Sequence, residues 1–186
     1  MIDPESAWID HVNKLPPSKV APAALQKLAD AVDTGVSNKA ELQGIVGTFA
    51  FTFNKAVFYA SLQALVPTAD PASGPASFAS AWGQALMASI MVVPPGNSVG
   101  PASPPTTFSV VASTLIDPAS LTLAQTYLQG QLVKAGANPV KMAEDGLIGP
   151  AIRQAFLKVT FSIIGLNSVS PPAGPLPLLA PMNPVA

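Results

Sequence analysis

Residues 44–66 read GIVGTFAFTFNKAVFYASLQALV, and the fold turns on whether this run is one element or several. It is apolar nearly all round after Gly44, so 38–66 reads as one long helix of the kind that sits at the centre of a protein. Phe49, Phe51 and Phe53 alternate, however, and a period of two also fits a strand at that point. The run is long enough to span a bilayer, and the mean hydropathy of the chain is +0.41. Asn54 and Lys55 at its centre count against insertion, because a central Lys costs about 2.5–3.5 kcal/mol. The other apolar runs, 85–93 and 156–166, are too short to cross.

Working outward, prolines punctuate the chain, 21 of them, and several stand where helices start. Proline at the first helical position is preorganised and loses no hydrogen bond. Asp3-Pro4, Asp117-Pro118 and Asn138-Pro139 each add a capping side chain in front, and Ala21-Pro22 and Gly74-Pro75 are weaker starts of the same kind. Upstream, 4–13 is a short amphipathic helix with Trp8, Ile9 and Val12, stopped by Pro16-Pro17. A second helix, 22–33, carries Leu25, Leu28, Ala29 and Val32 on one stripe, with Gly35 as its C-cap. Downstream, 75–93 reads as an apolar helix with Phe78, Trp82, Leu86, Ile90 and Val93. PPGNSVGPASPP, 94–105, is a loop, and 106–116 is β-branched enough for a strand. Helices are expected at 118–135, closed by Gly136, at 139–144 and at 150–165. The predicted fold class is mainly α: a helical bundle-like single domain, 1–167, with Pro-rich loops and one or two short strands. A helical sub-module is conceivable within it at 118–166, and an extended Pro-rich arm, 168–186, follows.

Charge is the most unusual feature. Only 10% of the residues are charged, where about 25% is typical. Between Ala56 and Val133 the only charged side chains are Asp70 and Asp117. A monomer in water normally coats itself with Lys, Glu, Asp and Arg. Here Ser, Thr, Gln, Gly and Pro must form the polar surface, or other subunits must cover it. A net charge of −1 without clustered Lys or Arg argues against nucleic acid as a partner. The acidic start, MIDPESAWID, has no apolar centre and does not read as a secretory signal.

Little in the chain speaks for catalysis. With no cysteine and one histidine, His11, neither a zinc site nor a cysteine nucleophile can be assembled. No serine sits in a nucleophile-elbow glycine pattern. Asp30 and Asp33 share a helix face near Gly35 and read as solvated, and Glu144-Asp145 reads as a turn. No phosphate loop, dinucleotide fingerprint or calcium loop is present. The Gly44-x-x-Gly47 and Gly146-x-x-Gly149 spacings enclose apolar residues without basic neighbours, unlike a nucleic-acid clamp. The expectation is a non-enzyme with no catalytic residues, no cofactor and no metal.

One segment carries a family pattern. Residues 128–166 read LQGQLVKAGANPVKMAEDGLIGPAIRQAFLKVTFSIIGL. Leu128, Gln129 and Leu132 lead to Gly136; Asp145-Gly146 then leads through Ile148, Gly149 and Pro150 to Arg153 and Ala155. This resembles the small three-helix peptidoglycan-binding module of cell-wall hydrolases and phage lysins. The resemblance implies helices on both sides of a tight turn, peptidoglycan as partner, and a cell-wall-binding or lysis-associated accessory role. The chain departs from the family at Ile152, where a small hydroxyl residue is usual, and at 159–164, which is more apolar.

The arm supports a different reading. Free disordered tails are usually polar or charged, whereas 168–186 holds six prolines, no charge, and Val169, Leu176, Leu178, Leu179, Met182 and Val185. Such a segment is expected to lie across a neighbouring subunit, and those six residues are the candidate partner-binding positions. With the charge-poor middle, this favours a structural subunit of a multi-copy virion or phage-tail-like particle. Its partners would be other protein subunits in a homo- or hetero-oligomeric assembly.

Overall fold

The computed structural model describes residues 22–36, 41–44, 47–65, 73–93, 108–134, 148–165 and 176–184. In it the decisive run divides. Helix α1 (Pro22–Val36) is followed by strand β1 (Glu41–Gly44), strand β2 (Gly47–Thr52) and helix α2 (Lys55–Leu65). The long helix expected over 38–66 is therefore corrected to a hairpin and a short helix. Period two prevails in β2: Phe51 and Phe53 are buried while Ala50 and Thr52 are exposed. Gly44 pairs with Gly47, so the reversal is complete within two intervening residues. Asn54 then starts α2, its Oδ1 accepting the Val57 N–H at 3.1 Å. A side-chain cap of this kind satisfies a donor that a helix start leaves open.

A second boundary falls inside the next apolar run. Helix α3 (Gly74–Met87) has Pro75 in its first turn and stops at Met87. Residues 90–93, expected to continue the helix, form strand β3 (Ile90–Val93). The expected strand near 106–116 is present as β4 (Phe108–Val111), followed by a 3-10 turn at Ala112–Thr114. Helix α4 (Pro118–Lys134) matches its expectation closely. Asp117 caps it, Oδ2 accepting the Ser120 N–H at 2.8 Å. Helix α5 (Ile148–Phe156) is shorter than the 150–165 expected, because β5 (Phe161–Gly165) takes the β-branched end. The expected helices 4–13 and 139–144 lie outside the described residues.

The tail supplies the sixth strand, β6 (Leu176–Pro184). It is extended, as expected, but it is paired within its own chain rather than left free for a neighbour. The six strands form one antiparallel sheet in the order β4-β3-β2-β1-β6-β5. More described residues lie in the five helices than in the six strands, so the domain is mainly α. The sheet nonetheless exceeds the one or two strands expected.

The sheet is curled. β2 and β5 stand three strand steps apart, roughly 14 Å in a flat sheet. Yet the Phe51 ring lies 5.8 Å from Phe161 and 5.4 Å from Phe156. Ile116, just beyond β4, bridges to Phe161 in β5, so the two edges approach each other. Ser120 fastens this closure: its Oγ accepts the Thr160 N–H at 2.9 Å, and the Asp117 N–H donates to the Thr160 carbonyl at 2.9 Å. Helices neighbouring in sequence pack on one another, α1 on α2, α2 on α3, α3 on α4 and α4 on α5. At the α3–α4 contact Gly83 leaves room for the Gln125 side chain, whose amide donates to the Ala79 carbonyl at 3.3 Å. Phe51, Phe58, Trp82, Leu86, Met91, Leu128, Phe156 and Phe161 are the largest buried side chains of a single core.

Candidate assembly surface

The outward face of β2, β3 and β4 is uncharged. Strand pairing sets it out in rows. Thr52 stands opposite Ile90 and Ile90 opposite Val111; Ala50 stands opposite Val92 and Val92 opposite Ser109. Ile90 is 41% exposed and Val111 48%. Thr52, Ala50 and Ser109 are exposed as well, with Val92 half-buried. A sheet packed on one side only normally alternates apolar with polar or charged residues; here neither row holds a charge.

A buried polar hub holds this face in place. Ser89 is fully buried; its Oγ donates to the Ala85 carbonyl at 2.7 Å and accepts the Asn54 N–H at 3.0 Å. The Asn54 amide donates to the Ala88 carbonyl at 3.0 Å, and the Ala112 N–H donates to the Ser89 carbonyl at 2.8 Å. The ends of β2 and α3 and the starts of α2 and β3 are thus tied at one point. Satisfied buried networks of this kind rigidify what they join.

Helix α4 separately exposes apolar side chains. Leu123 is 67% exposed and Val133 56%. Thr122 and Thr126 donate their hydroxyls to the Pro118 and Thr122 carbonyls, both at 2.9 Å. Those donors are engaged within the helix, which makes the outer surface less polar than its composition suggests. Asp117, the one charged residue described between Ala56 and Val133, caps α4.

Three of the described charges meet between α1 and α2. Lys55 pairs with Asp30 at 2.9 Å and Asp33 at 3.6 Å, joining α1 to α2. The hydrogen bond that the Lys55 ammonium donates to Asp30, with the negative charge of Asp30, holds Lys55 above its ordinary range. The two aspartates that read as merely solvated are thus a cross-helix clamp. Among the described residues no group of three His, Cys, Asp or Glu could hold a metal ion. None of their helices is long and apolar enough to cross a membrane.

Of the candidate partner-binding positions, Leu176, Leu178, Leu179 and Met182 belong to β6. Val169 and Val185 lie outside the described residues, as does His11. Leu128 and Leu132, which carry part of the family pattern, are core residues, as are Ile152 and Ala155. Thr52, Ile90 and Val111 were not singled out from the sequence as surface. The signal that could have found part of this face is the alternation through 50–53, which places Ala50 and Thr52 opposite the buried Phe51 and Phe53. Comparison with protein-family models, curated proteins and solved structures finds no match.

Proposed function

We propose that this chain is a non-enzymatic structural subunit of a large multi-copy assembly such as a virion or phage-tail-like particle. The observation that supports it is the uncharged, partly apolar outward face of β2, β3 and β4. Bringing this face against another subunit removes apolar area from water at about 25 cal/mol per Å² and desolvates no charged side chain along its two rows. Depletion of charge at the contact is also what distinguishes the centre of a protein interface from ordinary surface.

Sedimentation of the purified full chain over a range of concentrations tests the reading. Oligomers that persist at high salt are expected, because an uncharged contact is not screened. An Ile90→Lys, Val111→Lys double variant should fold and sediment as a smaller species. A wild-type chain that stays monomeric at every concentration overturns the proposal.

A further inference from the structure

We infer that the C-terminal strand β6 is exchanged between copies, the strand of one chain filling the gap between β1 and β5 of a second. This rests on the assembly reading and names the partner, a second copy of this chain. Three observations carry it. First, β6 is the last of the described strands yet sits inside the sheet, with β1 on one side and β5 on the other. Without it those two strands present open edges, and an open edge is a template for another extended chain.

Second, β6 is a poor resident of an interior position. Its sequence, LPLLAPMNP, holds three prolines, and proline donates nothing to a ladder. Its register with β1 covers only Leu42 opposite Pro184 and Gln43 opposite Asn183. Its register with β5 is interrupted between Ser162 and Ile164. Residues 159–186 hold no charge, so a β6 arriving from another copy meets no like-charge penalty.

Third, the connection is longer than the hairpin requires. Gly165 pairs with Leu176, leaving residues 166–175 between them, whereas hairpin loops usually take about 2–5 residues. Ten extended residues reach roughly 33 Å, enough to leave one sheet and enter a neighbouring one. The same backbone pairs form in either arrangement, so exchange costs little beyond association itself. Effective concentration then decides between them.

The chain has no cysteine, which makes the test clean. Full-length Gln43→Cys and Asn183→Cys variants, one carrying a size tag, are co-expressed, oxidised and run without reductant. A tagged–untagged heterodimer in excess of either homodimer is the expected result. The Leu42→Cys and Pro184→Cys pair is run in parallel, and each pair is also placed together in one chain. If the doubly substituted chains close only internally and the co-expressed variants give no heterodimer, exchange is overturned. Failure of both pairs to close in any arrangement contradicts the β1–β6 register and overturns it equally. Sedimentation of the same samples separates the two proposals: oligomers with internal disulfides sink exchange alone, whereas monomers with internal disulfides sink both.

Discussion

The inner and outer faces of β2 and β3 are made by the same short strands, and both lack charge, but only the inner one is buried by the described residues. Inside, Phe51 meets Phe156 and Phe161, and Met91 is fully buried. Outside, Thr52, Ile90 and Val111 form a row with nothing of the described chain burying it. Lack of charge on the inner face is required by burial, since desolvating an unpaired charge is costly. On the outer face the described residues impose no such requirement, and that difference is what the assembly proposal rests on.

Substitution on each face sharpens the contrast. Phe51→Ala should produce the largest loss, about 3–5 kcal/mol of unfolding free energy, read from the urea midpoint. A loss under about 1 kcal/mol would mean that the curled sheet does not close on this ring. Ser89→Ala comes next, at about 1–3 kcal/mol, because the Asn54 N–H loses its acceptor and the strand and helix ends lose their common tie. Hydrogen exchange at the start of α2 should rise in that variant.

Lys55→Met should cost less than about 1 kcal/mol, since the Lys55 side chain is 41% exposed and exposed pairs contribute little. Its pH dependence has a definite sign. The folded pKa of Lys55 is raised above 10.5, so the stabilisation is complete below that value and is lost as pH rises through the folded pKa. The difference between wild type and Lys55→Met, measured by urea unfolding, should therefore be present near neutrality and vanish in strong alkali. Smallest of all, Ile90→Lys should leave the unfolding midpoint within about 0.5 kcal/mol of wild type while weakening association. If it instead destabilised the fold as Phe51→Ala does, the outer face would already be covered within the chain.

How much could be read in advance depended on whether the signal was local. Helix α4 is legible from Asp117-Pro118 alone, because the Asp117 carboxylate, a proline without an N–H and the following residues act within one turn. Helix α1 is legible from its stripe of Leu25, Leu28, Ala29 and Val32. The alternation of Phe49, Phe51 and Phe53 left β2 legible only as an alternative, and β1 was not foreseen, because an apolar run hides its own period: Gly47–Thr52 and Lys55–Leu65 are both greasy, and only the Asn54 cap separates them. The outer face was missed with it, since Ile90 and Val111 are surface only if 90–93 is a strand paired to β2 and β4.

Composition and spacing by themselves determined that the chain is mainly helical, that its middle is nearly free of charge, and where prolines begin α3 and α4. Those are consequences of side-chain chemistry and of interactions within a few residues. Tertiary structure alone decided the order β4-β3-β2-β1-β6-β5, the meeting of Phe51 with Phe161, and the position of β6 between β1 and β5. A backbone edge carries the same donors and acceptors whatever its side chains, so local sequence cannot say which distant strand will satisfy it. Only the closing of the whole core around Phe51, Phe156 and Phe161 makes that choice.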